Sequence, residues 1–381
     1  TYVNQTIQKS EAGDGTSGIL IQDAQLEIGL AATDYIESGA TTGKAGLLEQ
    51  EPRLDYSGGA SCPALLLEPQ RSNYIAHSEY ISSSAGWTIT DYGTGAGNPV
   101  VTLNAAMSPE GKMNACQIDF QSCTGAQQSS IAYTATGFNV GDMITHSVYL
   151  KAPVDCTLII RDASVFNEDP INVTTEWQRF DITAAAGYTY SQFKIGLRPT
   201  QGSQADACSV YMYAPQMELG SYPTSYIPTY GSSVTRSKDV GSLNLVGAGV
   251  NDGWTSGTIL IEFEKPYNNE NADVIRIHGD SVGGRAYIYN NGYGFASDWS
   301  YSSNFTIGEN TKIIYRLNTL STANLFKNGV KLTGAEGSGT AWSDIKYIYL
   351  NNQGGAKINI KQIVVFPTAL TDSECIKLTT I

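Results

Sequence analysis

The sequence is short of charge: Asp, Glu, Lys and Arg make up 15% of its 381 residues, against roughly a quarter in an average soluble domain. It has three histidines (His77, His146, His278), five methionines and six cysteines, none of them in a CxxC pair. That leaves little material for a Cys/His metal site. The 23 basic residues are scattered and the formal net charge is -13. No basic run is present that would neutralise a row of phosphates, so nucleic acid is excluded as an expected partner. The acidic balance also disfavours an anionic membrane surface. There is no apolar run long enough to cross a bilayer and no signal-peptide pattern, so no membrane insertion is expected. No Gly-rich phosphate loop stands before a helix, since Gly283-Gly284 leads into a strand pattern. The chain also has no initiating Met, from which we expect either removal of a leading segment or a longer parent product.

What is present is β-sheet material. Glycine (39 residues) and tyrosine (23 residues) are abundant. Tyr, Thr and Val suit pleated, half-buried surfaces, and Gly suits the tight turns between short strands. The length calls for two or three domains. The cysteines are Cys62, Cys116, Cys123, Cys156, Cys208 and Cys375. A hairpin disulfide between Cys116 and Cys123 is one reading; free, buried, small hydrophobes is the reading we favour.

An internal repeat sets the organisation. Residues 19–36 (ILIQDAQLEIGLAATDYI) and 210–227 (VYMYAPQMELGSYPTSYI) align at a constant offset. Gln25, Glu27, Gly29, Thr33 and Tyr35-Ile36 fall on Gln216, Glu218, Gly220, Thr224 and Tyr226-Ile227. Each copy starts as an alternating strand and leaves it through Gly. One strand cannot bury its apolar face alone. Residues 1–50 are therefore expected to be the C-terminal remnant of a preceding jelly-roll domain, with strands supplied from upstream of Thr1 or by a neighbouring subunit.

Residues 51–73 read as a linker and 74–239 as an eight-strand sandwich with an exit connector. QSSIAYTATG (128–137), MITHSVYLKA (143–152), CTLIIRDA (156–163), WQRFDIT (177–183), FKIGLR (193–198) and CSVYMYAPQMEL (208–219) alternate with period two. Tyr222, Pro223, Tyr226, Pro228, Tyr230 and Gly231 read as a rigid connector held by ring contacts. Three stretches carry a resemblance: NYIAHSEYISSSAGW (73–87), TTEWQRFDIT (174–183) and APQMELGSYPTSYIPTYGSSVTRSKD (214–239). They resemble the opening strand, the Trp-Gln-Arg strand and the closing strand of carbohydrate-binding, galactose-binding-like jelly rolls. Such jelly rolls occur in phage virion proteins and secreted polysaccharide-degrading enzymes. EPRLDYSGGASCPALLLEPQRSNYIAHSE (51–79) resembles the linker that precedes such a jelly roll in fibre and tail proteins of phages, crAss-like phages included.

Residues 240–381 read as a second sandwich, with strands at 258–266, 273–279, 285–291, 312–319, 323–332, 346–352 and 356–366. Asn328-Gly329 between apolar pairs predicts a tight hairpin. A short helix is predicted within 366–378, capped by Thr371 or Asp372 with Glu374 in its first turn. The Lys-Asn-Gly hairpin, the late strand KQIVVF and the closing Ala-Leu-Thr-Asp-Ser-Glu resemble a concanavalin A-like or laminin-G-like domain. The fold class expected is all-β, as tandem sandwiches.

Chemistry is thinly represented. β-Glucan hydrolases of the fold just named carry two glutamates in a Glu-x-Asp-x-x-Glu strand, the pairing retaining hydrolysis needs. Here Glu262 and Glu264 share a strand face, but Lys265 and Pro266 follow where further acids belong. No Ser-His-Asp arrangement is legible, and each histidine reads as structural. We expect no enzyme and no cofactor. Calcium held by acidic loop residues such as Asp273 and Asp280 is an open alternative. Binding is better supported: sugars are held by aromatic faces flanked by amides and carboxylates. Residues 287–304 interleave Tyr287, Tyr289, Tyr293, Trp299 and Tyr301 with Asn290, Asn291 and Asp298, and Tyr267 and Asn268 stand in a second loop. Core packing is the competing reading for Tyr287 and Tyr289. Tyr92 lies beside a glycine-rich loop, and Trp87 and Trp177 read as core.

The resemblances imply a virion structural and receptor-recognition protein. It would be part of a phage fibre, tail or capsid decoration, binding host surface glycans. Its partners would be other virion proteins and copies of itself, in a homo-oligomer such as a trimer. The alternative is a glycan-binding accessory region of a secreted bacterial polysaccharide-degrading enzyme, or a surface adhesin.

Overall fold

Period-two alternation turns into strands along most of the chain. The structure, a computed structural model, describes residues 52–56, 63–93, 97–246, 256–265, 273–279, 284–289, 292–295, 305–306, 308–319, 322–333, 337–338, 345–351, 355 and 357–381. The expected remnant domain at 1–50, with the first copy of the repeat, lies outside these residues, as do Cys62 and Asp280. Two units are present: one contains residues 72–235, the other 47–71 together with 236–381.

In chain order the first strands are β1 (Arg53–Asp55), β2 (Ala64–Leu67) and β3 (Arg71–Asn73). The jelly-roll unit contributes β4 (Trp87–Tyr92), β5 (Val100–Ala106), β6 (Ala115–Phe120), β7 (Gln128–Thr136), β8 (Met143–Lys151), β9 (Cys156–Asp162), β10 (Asn167–Val173), β11 (Gln178–Ala185), β12 (Tyr190–Leu197) and β13 (Cys208–Leu219). They form two antiparallel sheets, β10-β9-β12-β7-β4 and β11-β8-β13-β6-β5. Inward residues of both sheets, among them Trp87, Ile118, Phe120, Ile131, Val148, Leu158, Ile160, Phe193 and Val210, make one core. Trp87 packs edge-on against Tyr133 and Phe193, with ring centroids 5.2 and 6.2 Å away. Its indole N–H donates to the His77 carbonyl at 3.0 Å. Cys116 and Cys123 sit unpaired and buried, and burial pushes the Cys116 thiol up to about 11.

The residues shared by the two repeats acquire a physical reason in the second copy. A bulge in β13 between Tyr213 and Gln216 brings Gln216 and Glu218 opposite Ser147 and Thr145. Glu218, fully buried, accepts from the Thr224 N–H (2.8 Å), the Thr224 hydroxyl (2.6 Å) and the Gln216 amide (2.8 Å). Gln216 in turn accepts from the Ile227 N–H at 2.7 Å. The exit segment has no ladder of its own, so these side chains satisfy its backbone. Arg179, of the Trp-Gln-Arg stretch, donates to the Thr224 carbonyl at 2.6 Å. Tyr226 lays its ring against Tyr213, and Tyr226 and Tyr230 both donate to Glu79.

The remaining strands are β14 (Val234–Arg236), β15 (Gly241–Asn244), β16 (Gly257–Glu264), β17 (Asp273–Gly279), β18 (Gly284–Tyr289), β19 (Gly292–Phe295), β20 (Asn310–Thr319), β21 (Thr322–Lys327), β22 (Val330–Lys331), β23 (Gly337–Ser338), β24 (Ile345–Leu350) and β25 (Ile358–Phe366), followed by helix α1 (Asp372–Thr379). One sheet runs β1-β2-β25-β16-β20-β21-β22 with β23 on β21, the other β15-β24-β17-β18-β19. Asn328 and Gly329, with φ of 47° and 81°, make the turn that joins β21 to β22, as a two-residue hairpin requires. Helix α1 has the predicted start: Thr371 and Glu374 form a reciprocal capping box. Its Cys375 packs with Leu260, Ile314 and Phe326 on the back of the first sheet.

One boundary differs from expectation. The stretch 51–73 is not a free linker, because β1 and β2 extend the second sandwich's sheet through β25. The jelly roll is thus inserted into the second sandwich rather than simply preceding it. The charges that close this arrangement lie within the second unit. Glu68, fully buried, faces Arg53 (2.7 Å), Arg236 (3.0 Å) and Lys357 (3.3 Å). Asp239 also pairs with Arg53 and accepts from the Glu68 N–H at 2.7 Å. Burial alone would raise the Glu68 pKa; the three cations outweigh it and hold it at about 2.

Candidate functional site: a tyrosine-lined sheet face

In the sheet β15-β24-β17-β18-β19 the inward residues are Ile275, Ile277, Ala286, Ile288, Ile348 and Leu350, all in the second core. Alternation therefore sends Arg276, His278, Tyr287, Tyr289, Tyr347 and Tyr349 to the opposite face. Each of these six is half-buried. The register places them side by side: Arg276 stands opposite Tyr287 on one flank and Tyr349 on the other, and His278 stands opposite Tyr347. Tyr287 and Tyr289 lie 5.4 Å apart, and Tyr347 and Tyr349 stack at 5.8 Å with 26° between their planes. His278 meets the edge of Tyr349 at 5.7 Å, and the Arg276 guanidinium sits 5.1 Å from the Tyr287 ring centre. On the edge strand Gly292 and Gly294 are paired with Tyr289 and Tyr287. The platform thus carries four phenol rings, a cation and an imidazole.

Tyr287 and Tyr289 were proposed from sequence, and they lie on this face. Tyr293 does not. It is buried beside Phe305 in the core, at a centroid distance of 5.6 Å, and so cannot offer its ring to a ligand. In Gly-Tyr-Gly-Phe the strand partner decides the face, and the sequence does not disclose it. Asn290, Asn291, Asp298, Trp299, Tyr301, Tyr267 and Asn268 lie outside the described residues. Tyr347, Tyr349, Arg276 and His278 were missed. KYIYLNN alternates as clearly as YIYNN does, but the strand order that makes them neighbours is a tertiary fact.

Two acidic features bear on catalysis. Glu262 accepts from Asn310 (2.6 Å) and Gln362 (2.5 Å), and Glu264 pairs with Lys361 (3.5 Å). Both are therefore engaged across the ladder. A Ser-His-Asp grouping, which the sequence did not suggest, exists in the jelly-roll core. The Ser191 hydroxyl lies 2.9 Å from His146 Nε2 and 2.8 Å from Asp162 Oδ2, and that oxygen is 3.3 Å from the same Nε2. The three are fully buried, and Ser and Asp share one ring nitrogen instead of flanking the ring. A relay needs them on opposite nitrogens, so this is a core polar cluster. Burial would raise the Asp162 pKa, but hydrogen bonds from His146, Ser164 and Ser191 hold it well below the usual carboxylate range. Among the described residues no group of three His, Cys, Asp or Glu converges to hold a metal ion, and no helix is long and apolar enough to cross a membrane.

No protein-family model matches the sequence, and no curated protein matches it. Among solved structures, the CBM40 of Ruminococcus gnavus IT-sialidase, bound to alpha2,3 sialyllactose, is 18% identical, with TM-score 0.28, over 36% of this chain and 91% of that one. The tandem CBM22-1 and CBM22-2 domains of Paenibacillus barcinonensis Xyn10C are 10% identical, with TM-score 0.26, over 82% and 99%. Trypanosoma rangeli sialidase in complex with 2,3-difluorosialic acid is 11% identical, with TM-score 0.28, over 33% of this chain and 22% of its own length. These neighbours are carbohydrate-binding modules and sialidases. At such identities and TM-scores the likeness does not bear on what this chain binds.

Proposed function

We propose that the protein is a non-enzymatic glycan-recognition protein whose binding surface is the tyrosine platform of the second sandwich. One observation carries this reading: four tyrosines, an arginine and a histidine stand side by side, half-buried, on one sheet face. Phenol rings stack on the C–H faces of sugars, and their hydroxyls, with Arg276 and His278, supply hydrogen bonds to sugar hydroxyls. Glu262 and Glu264, the acids considered for hydrolysis, are committed to cross-strand partners. The wider role we propose is display on a virion surface as an oligomer, with other virion proteins as partners and a host glycan as target. Its support is the sequence resemblance of 51–79 and 214–239.

The test is the double variant Tyr287→Ala/Tyr349→Ala, read on a glycan array and then by calorimetry with any sugar found. A loss of at least tenfold in affinity, about 1.4 kcal/mol, with an unchanged melting temperature, is expected. Unaltered binding would remove the platform. Native mass and presence in purified particles test the virion role: a monomer absent from particles would favour an accessory module of a secreted enzyme.

A further inference from the structure

The outer face of the jelly roll's β10-β9-β12-β7-β4 sheet gathers positive charge in a protein whose net charge is -13. Inward residues Leu158, Ile160, Phe193 and Ile195 fix the alternation, which turns Arg161 on β9 and Tyr190, Gln192 and Lys194 on β12 outward. Arg198, just past β12, joins them. Glu168 on β10 is the carboxylate these cations meet, 3.4 Å from Arg161 and 2.5 Å from Arg198. The Lys194 ammonium donates to the Gln128 side-chain carbonyl at 3.1 Å and forms no ion pair among the described residues. Burial, with Arg161 and Arg198 nearby, pulls its pKa down to about 8.

Two further observations point to a ligand. The Ser130 hydroxyl is buried and has no hydrogen-bond partner among the described residues. Ser130 is paired in register with Gly196, two residues from Lys194, and a Cβ on Gly196 would run into the Ser129 carbonyl. Rings are presented at the same face. Tyr190, 37% exposed, stacks on Tyr188 at 5.2 Å and 18°. Phe166, 71% exposed, lies 5.6 Å from the Arg161 guanidinium and holds a φ of 56°, a conformation costly for a bulky side chain.

We propose that this face is a second binding site, for the oxyanion of an acidic sugar, with Lys194, Arg161 and Arg198 meeting the charge, Gln192 meeting hydroxyls and Tyr190 stacking on the ring. It is independent of the tyrosine platform. The excess of cations over carboxylates is costly unless an anion offsets it, and the amide and ring beside it select a sugar over a bare ion.

The experiment is calorimetry on the whole chain with a uronate trisaccharide, a sulfated trisaccharide, their neutral counterpart and inorganic sulfate. We expect one or both acidic sugars to bind, with the stronger naming the oxyanion, and the neutral sugar to bind at least tenfold more weakly. Lys194→Met should lower acidic-sugar affinity at least tenfold without lowering the melting temperature. Lys194→Arg should largely restore affinity, Gln192→Ala should weaken the sugar but not sulfate, and Tyr287→Ala/Tyr349→Ala should leave it intact. Equal binding of the neutral sugar, sulfate binding as tightly as either acidic sugar, or indifference to Lys194→Met would each overturn the proposal.

Discussion

Glu68 in the second sandwich and Glu168 in the jelly roll are each met by arginines from neighbouring segments, yet their surroundings differ. The Glu68 side chain has no exposure, faces three cations and has Asp239 as a second acid beside it. Glu168 keeps 13% exposure and pairs with Arg161 and Arg198, with Lys194 farther off, and the buried Asp162 is, among the described residues, the one other carboxylate that acts on Arg161. The first cluster is closed: its members come from β1, the turn after β2, β14 and the approach to β25, and it fastens the points where the inserted jelly roll leaves and rejoins the second sandwich's chain. The second is left with cations to spare at a sheet face. A third carboxylate extends the series: Asp372, 50% exposed, sits between Arg316 (2.6 Å) and Lys331 (2.9 Å). Similar charges at three depths should have three different consequences, because desolvation sets how much an ion depends on its partners.

The series can be broken by neutralising each acid and following chemical denaturation by circular dichroism. Glu68→Gln should cost most, about 3–5 kcal/mol, since it leaves buried cations uncompensated. Its linkage has a definite sign. The folded pKa of about 2 lies below the unfolded value of 4.5, so the stabilisation is complete above pH 4.5 and is lost as pH falls toward 2. The wild type should lose stability through that window, and the variant should show a shallower slope. Glu168→Gln should cost less, about 1–2 kcal/mol, and Asp372→Asn no more than about 0.5 kcal/mol. Equal costs at Glu68 and Glu168 would mean that closure of the network does not matter.

Lys194 sharpens the contrast from the cation side. Its folded pKa of about 8 is below the unfolded 10.5. Below pH 8 both states are charged and the native state carries the full penalty; between 8 and 10.5 the unfolded chain binds more protons, so native stability rises with pH. Lys194→Met should therefore be more stable than wild type at pH 7, by roughly 1 kcal/mol once partial solvation is allowed for, and the gap should close toward pH 10. A gap independent of pH would show that packing, not charge, is responsible.

Much of the fold was legible because strand signals are local. Asn328-Gly329 can adopt the positive φ pair a tight turn needs, and Thr371 with Glu374 satisfies the first N–H groups of a helix; neither depends on distant residues. The repeat was visible too, although its reason, Glu218 and Gln216 satisfying the backbone of the exit segment, required the structure. The linker reading failed at β1 and β2. Strands of three and four residues beside prolines carry too little alternation to be recognised; β1 becomes a strand by pairing with β2, and β2 by pairing with β25, some 300 residues later in the chain. The candidate platform was half legible: Tyr287 and Tyr289 stood out in an aromatic-rich stretch, whereas Tyr347 and Tyr349 joined them only through β17, which lies between β18 and β24. Tyr293 was misassigned because its face is set by its neighbour's register.

The sequence by itself determined the class of structure: glycine-punctuated, alternating stretches low in charge build stacked sheets, since each strand's apolar side must be hidden from water. Only the tertiary structure decided which strands are neighbours. That order inserts one sandwich into the other, closes the ions around Glu68, leaves cations in excess around Lys194 and sets four tyrosines on one face. Side-chain period is a property of a few adjacent residues; strand pairing is settled by the packing of the whole unit.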